Sequence, residues 1–378
     1  MKDLLSWCRE RQDVMTAFLA ELVAIESPST SPAGVAALAR RIESELSPLG
    51  LAGELVPVEG GGPILRARHG QGGPMLLGHL DTVCDLGTLA RRPIRIDDGR
   101  LFGPGAYDMK GGIVVLLFAL KALRARGALA PVSVFLTPLE EVGCEPYRPA
   151  MEADMRTSRA VLDFEPAWPG GAVKTQRKGW ASITLVARGV AAHAGADFAR
   201  GANAILELCR RLVDIAAMTD PDRGITVNVG TIRGGTRSNV VPDRAQAEID
   251  VRFRTLADGE AVRAALQRLQ PSDPRIGLAL EWGPFYPPLE RGPNVVAAFE
   301  AARRVAAELG LPSLEEAATG GASEASFAAA LGLPTLDGLG ADGDGAHAEH
   351  EHVVLSSLPD RAALAAGLIL ELQPNRGA

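Results

Sequence analysis

Apolar residues recur at helical spacing through residues 3–25 (Leu4, Leu5, Met15, Phe18, Leu19, Leu22, Val23) and predict one amphipathic helix. Ser31-Pro32 supplies a capping hydroxyl and a first-turn proline for a second helix, which the pattern carries to about residue 49 and Gly50 ends. Short strands follow near 54–58 and 64–68. A buried-looking strand at 74–78 then ends in His79-Leu80-Asp81, one at 131–137 leads to Glu140-Glu141, and one at 160–162 ends in Asp163-Phe164-Glu165. Between the first two, a glycine- and proline-rich turn at 101–112 delivers Asp108 to the mouth of an apolar helix over 113–123. Strands alternating with helices predict an α/β fold with a doubly wound, mostly parallel sheet, whose ligands gather beyond the carboxyl ends of its strands.

The pattern changes after residue 175. A half-exposed strand at 180–188, a helix at 203–218, strands at 226–232 and 245–253, a helix at 259–269 and a strand at 278–281 follow in turn. That β-α-β-β-α-β order is the ferredoxin-like signature. The first domain is therefore expected to span 1–175 and 288–378, interrupted by an inserted α+β domain at 176–287. It resumes with a helix at 295–309. The turn Gly320-Gly321-Ala322-Ser323 enters another helix, a strand lies at 335–337, a glycine-rich loop ends at His347, and a closing helix covers 357–372.

Composition narrows what such a fold does. A net charge of -7 argues against a nucleic-acid or anionic-membrane partner, which needs basic patches. The charged residues scattered through 1–25 leave neither a signal-peptide core nor a membrane span, so a cytoplasmic protein is expected. Cys8, Cys84, Cys144 and Cys209 show no paired spacing and read as reduced thiols.

Asp108 alone reads as a helix cap. Its company changes that reading: His79, Asp81, Glu140, Glu141, Glu165 and His347 all fall at strand ends or in the loop beside them. So many carboxylates in one crevice repel each other unless a cation intervenes. Imidazole with carboxylate suits a divalent transition metal, and a shared carboxylate flanked on each side by a histidine and a second acid describes a two-metal site fit for amide hydrolysis. Asp163 competes with Glu165 on the same strand.

These pieces resemble the zinc-dependent M20 metallopeptidases, nearest in motif to the glutamate carboxypeptidases. The similarity is carried by Gly78-His79-Leu80-Asp81, Gly103-Pro104-Gly105-Ala106-Tyr107-Asp108-Met109-Lys110-Gly111-Gly112, Glu140-Glu141-Val142-Gly143, Phe164-Glu165-Pro166, Ala192-His193-Ala194-Gly195, Ser238-Asn239-Val240-Val241-Pro242, Asp250-Val251-Arg252 and Gly345-Ala346-His347. The resemblance implies two zinc ions per subunit, cobalt or manganese being possible substitutes. His79, Asp108 and Glu165 would hold one and Asp108, Glu141 and His347 the other. It also implies that Asp81 orients His79, that Glu140 is the general base toward the attacking water, and that the peptide after Asp108 is cis. His193 would reach the oxyanion, usually that of the partner subunit's site, and Asn239 and Arg252 the carboxylate end of the substrate. Gly321 would lie beside the substrate, and the insertion would be a lid through which a homodimer forms.

The implied activity is release of a C-terminal amino acid from an N-acyl amino acid or short peptide. The alternatives are an N-acetyl-amino-acid deacylase, a dipeptidase, or a metal-binding homologue without catalysis. Three departures stand out: Leu139 precedes the acid pair in place of an aspartate, Glu324 follows the glycine turn in place of another, and Tyr286 replaces an arginine before Pro287-Pro288. The last removes a bidentate carboxylate clamp and points away from a strict glutamate preference, with the Tyr286 ring as a candidate substrate contact.

Overall fold

A computed structural model describes residues 1–373, which form two compact units. The first comprises Met1–Gln176, Arg291–Ala318 and residues 327–373; the second comprises Arg177–Glu290 and Thr319–Ser326.

The first unit is built on a six-stranded mixed sheet in the order Ala52–Val56, Ile64–His69, Val132–Thr137, Met75–His79, Val161–Asp163, Thr335–Leu336. The last four run parallel, and an antiparallel hairpin closes the other edge. Met75–His79 is buried at every position, as a strand covered on both faces must be. Helix Gly111–Ala125 is apolar on all sides and buries nearly every residue, Ile113, Val114, Leu116, Leu117 and Leu120 among them. It packs against Met75–His79 and against the helices Lys2–Arg9, Gln12–Val23 and Ser357–Glu371. At about 1.5–3 kcal/mol for each large side chain removed from water, this helix anchors the unit. Ser31 caps helix Pro32–Leu46 by accepting the Gly34 N–H at 3.3 Å, and Gly50 ends the following turn with φ 84°.

Two differences from the sequence pattern stand out. The N-terminal helix is broken into Lys2–Arg9 and Gln12–Val23, at a charged run that has no apolar side chain to hold it against the core. And the loops around His347 are not plain loops. Gly343–Asp344, His352–Val354, Arg100–Phe102 and Arg95–Asp97 form a small antiparallel sheet, in that order. Its strands are two or three residues long, too short for alternation to mark.

The second unit carries a four-stranded antiparallel sheet, Thr226–Gly234, Arg244–Phe253, Gly179–Arg188, Gly277–Tyr286. Helices Ala204–Ala216 and Leu256–Gln267 pack on it, giving the β-α-β-β-α-β order. Strict alternation puts Ala245, Ala247, Ile249, Val251 and Phe253 in its core and Arg244, Gln246, Glu248, Asp250 and Arg252 on the other face.

Candidate metal centre

Three neighbouring parallel strands deliver most of the acid–histidine cluster. His79 closes Met75–His79 and lies opposite Thr137, three residues before Glu140; Leu77 lies opposite Asp163, two residues before Glu165. Asp108 comes from the irregular turn Ala106–Lys110, and the Asp108–Met109 peptide is cis. The glycines that follow admit another backbone. A Cβ on Gly112 would sit 1.9 Å from the Phe164 carbonyl oxygen, so glycine lets the helix start against the chain that carries Glu165. The Met109 sulfur lies under His79 and accepts its N–H at 3.0 Å.

The side chains then converge. His79 Nε2 stands 3.0 Å from Asp108 Oδ1 and 3.3 Å from Glu165 Oε1. His347 Nε2 stands 3.4 Å from Asp108 Oδ2 and 3.2 Å from Glu141 Oε2. Asp108 thus presents one oxygen to each histidine. A Glu140 carboxylate oxygen joins the His79 and Glu165 ligand atoms, all within 4.8 Å of one another. Asp163 is buried but belongs to neither group of converging ligand atoms among the described residues.

The electrostatics ask for a cation. His79 Nδ1 lies 2.9 Å from the Asp81 carbonyl oxygen, which only accepts, so Nδ1 carries the proton. A neutral ring then aims its Nε2 lone pair at two carboxylates, an arrangement that needs a proton or a metal between them. Burial presses His79 toward the neutral form, but its hydrogen bonds to Asp108, Asp81 and Glu165 outweigh this and hold it well above the usual histidine range. Hydrogen bonds to Asp108 and Glu141 lift His347 to about 11 against its burial. Burial pushes Asp108 up, yet the two histidines hold it well below the usual carboxylate range. Burial raises Glu141. Its Oε1 is enclosed and meets no hydrogen-bond partner among the described residues, a costly state for a carboxylate that a bound cation would relieve. Two imidazoles, three carboxylates and no thiolate are the donor set of a hard-to-borderline divalent ion.

Asp81 holds the His79 ring through its main chain and does a second job with its side chain. Its backbone carbonyl, not its carboxylate, makes the short contact to His79 Nδ1; the nearest carboxylate oxygen is 3.6 Å away. The carboxylate instead accepts the N–H groups of Glu140 and Glu141 at 3.0 and 3.2 Å and the Ser29 hydroxyl at 2.6 Å. One buried side chain therefore fixes the backbone of the acid pair, and Ser29 is a partner the sequence pattern did not mark.

Glu351 was not marked either. It sits four residues after His347 in a stretch whose charges suggest solvent, yet it is 2% exposed. Burial pushes its carboxyl up to about 7 against the lowering effect of hydrogen bonds from backbone N–H groups. Arg361, also buried, donates to the carbonyls of Gly171, Gly338 and Gly340, and Gly340 N–H in turn donates to the Glu165 carbonyl at 2.9 Å. His347 itself has φ 64°, a left-handed conformation uncommon for a side chain-bearing residue and frequent where a site dictates the backbone.

The remaining sequence-derived candidates lie in the second unit. His193 is exposed on the short strand Ala192–His193, which pairs with Val240–Val241, and Ala194 N–H donates to the Asn239 carbonyl at 3.0 Å, so His193 and Asn239 are neighbours. His193 Nδ1 accepts the N–H groups of Gly195 and Ala196 at 3.1 and 3.0 Å, which leaves the ring proton on Nε2 as an outward donor. Arg252 pairs with Asp250 at 2.9 Å and lies 5.1 Å over the Trp180 ring. Tyr286 is 2% exposed, its ring 5.5 Å from that of Trp180, so here it supports Trp180 and offers little surface to a ligand. Gly321 is exposed, near the Arg177 guanidinium, which holds the Ala322 carbonyl at 3.1 Å.

This fold and this cluster define a metal-dependent hydrolase. Residues 75–371 match the peptidase family M20/M25/M40, and the chain belongs to it. It is 30% identical to carboxypeptidase G2 of a Pseudomonas species, over 96% of this chain and 90% of that one. It is 29% identical to succinyl-diaminopimelate desuccinylase of Dechloromonas aromatica, over 84% and 89%. The crystal structure of aminopeptidase PepT from Bacillus cereus superposes with a TM-score of 0.77 at 23% identity, covering 96% of this chain and 98% of that one, which bears on the fold alone. The protein is a metallohydrolase. No helix among its described residues is long and apolar enough to cross a membrane.

Proposed function

We propose that the protein hydrolyses an amide bond and releases a C-terminal amino acid from an N-acyl amino acid or short peptide, using two zinc ions. The observation that carries this reading is the division of Asp108, one oxygen toward His79 and Glu165 and the other toward His347 and Glu141. His79, Asp108 and Glu165 would hold one ion, and Asp108, Glu141 and His347 the other. Bound divalent ions polarise the scissile carbonyl and make water more acidic. Glu140, whose backbone is pinned by Asp81, takes the proton from the attacking water and passes it to the leaving amine. His193, through its Nε2 proton, supports the oxyanion, while Asn239, Arg252 and the Gly321 turn receive the carboxylate end of the substrate. The likeness to a carboxypeptidase and to a desuccinylase supports an acylated amino acid as substrate.

Replacing Glu140 with alanine is expected to keep the bound metal and lower hydrolysis by about 10²–10⁴-fold. Normal turnover by that variant removes Glu140 from the role of base. Rates on acyl-glutamates, N-acetyl amino acids and dipeptides, measured side by side with metal content, select among carboxypeptidase, deacylase and dipeptidase.

A homodimer through the second unit is part of this reading. Helix Ala204–Ala216 exposes Leu206 and Val213 (51% and 70%), and Ile232 is exposed on the edge strand Thr226–Gly234. An apolar stripe next to an unpaired strand edge suits a second copy of the same surface. Sedimentation velocity is expected to give a dimer that Leu206→Glu with Val213→Glu converts to monomer; a wild-type monomer at micromolar concentration refutes it.

A further inference from the structure

Asp108 and His347 come from segments 239 residues apart, and neither is on a strand of the main sheet. Something must bring them into register. The small antiparallel sheet does part of this, since His352–Val354 follows His347 and pairs with Arg100–Phe102, which precedes Asp108. The rest falls to one side chain. Glu351 Oε2 accepts the Gly105 N–H at 2.8 Å, and Oε1 accepts those of Tyr107 and Asp108 at 3.0 Å each. Asp108 and Met109 are non-helical, so the helix that follows cannot satisfy these donors in the usual way. The Glu351 carbonyl also accepts the Gly103 N–H at 3.3 Å, and its own N–H donates to Ala348, next to His347, at 3.3 Å.

We propose that Glu351 is a positioning residue for metal capture: its carboxylate clamps the Gly105–Asp108 turn to the His347 loop, so that the Asp108–His347–Glu141 half of the cluster is preset before an ion arrives. The inference rests on the two-metal reading above. It concerns a carboxylate that touches no ligand atom of the site and acts through the backbone of one ligand and the loop of another. Both oxygens are engaged by donors, so glutamine is no substitute: its amide nitrogen must face Gly105 N–H or the Tyr107 and Asp108 pair, donor against donor.

The test compares Glu351→Gln with Glu349→Gln, an exposed change in the same loop. Each is loaded with zinc and with cobalt(II). In Glu351→Gln, affinity for one of the two ions is expected to fall about 10–100-fold, with the cobalt spectrum altered, while Glu349→Gln matches wild type. Unchanged stoichiometry, affinity and cobalt spectrum in Glu351→Gln, even with a lowered melting temperature, overturns the proposal and leaves Glu351 a purely structural acid. A second measurement needs no variant. In metal-free wild-type protein, the amides of Gly105, Tyr107 and Asp108 are expected to resist hydrogen exchange as the sheet amides do; free exchange there also overturns the proposal. Wild-type protein that takes up no metal refutes the two-metal reading and this inference with it. Metal-binding wild type beside an indifferent Glu351→Gln refutes the inference alone.

Discussion

The two halves of the acid–histidine cluster share Asp108 and are built in opposite ways. His79 ends the central buried strand, its side chain 1% exposed, and Glu165 leaves the neighbouring strand with 11%. His347 hangs on a loop between two-residue and three-residue strands, in a left-handed conformation, with 53% of its side chain exposed. One half inherits its geometry from the sheet. The other has to be assembled from loops, by Glu351, by the Asp81 carboxylate behind Glu141, and by the small antiparallel sheet. Buried strand ends open only with the unit as a whole, whereas exposed loops open locally, so the two halves are expected to hold an ion with different tenacity.

The strongest blow to this comparison is a change that both halves feel. Asp108→Ala removes the shared carboxylate, and on the proposed two-zinc reading both ions are expected to be lost, with activity falling by more than the roughly hundredfold typical of changes outside the ligand shell. Metal analysis of the purified variant checks it; a variant that keeps one full equivalent of zinc shows that the halves do not depend on a common bridge. A smaller effect separates them. Dialysis against a chelator is expected to remove zinc from wild-type protein in two phases, the faster from the His347 half. His347→Ala should abolish the fast phase and spare the slow one, and His79→Ala should remove the slow one. A single phase in wild type means that the exposed loop is held as firmly as the strand end.

The chemistry was legible in the sequence because strand ends are. An apolar run stops, a histidine or an acid follows, and a parallel sheet gathers those ends on one side. His79, Glu140 and Glu141 needed nothing more as candidates, Asp108 needed only the glycine-rich turn before its helix, and Glu165 was separated from Asp163 only by the likeness of Phe164-Glu165-Pro166 to the family. What supports them was not legible. Ser29 and Asp81 lie 52 residues apart, and Glu351 finds its donors 243 to 246 residues away, pairings that no local pattern records. The Glu351 stretch is charged enough to pass for solvent-facing, and its strands are too short to alternate. Asp81 was read from its place two residues after His79, but which of its oxygens faces the ring is a matter of backbone direction at the strand end. The break in the N-terminal helix escaped for the converse reason: the apolar spacing on its two sides stays in phase.

The Asp81 carboxylate has one more consequence, for anyone who would move this site to another scaffold. A graft of the His-Leu-Asp tripeptide and the acid pair onto two adjacent parallel strands would carry the ligands and leave behind the Ser29 hydroxyl that donates to Asp81 Oδ2. The transplanted aspartate would turn to water, and the acid pair would lose the anchor on its own main chain. The smallest portable unit is therefore not a motif but three chain segments that meet at one oxygen pair.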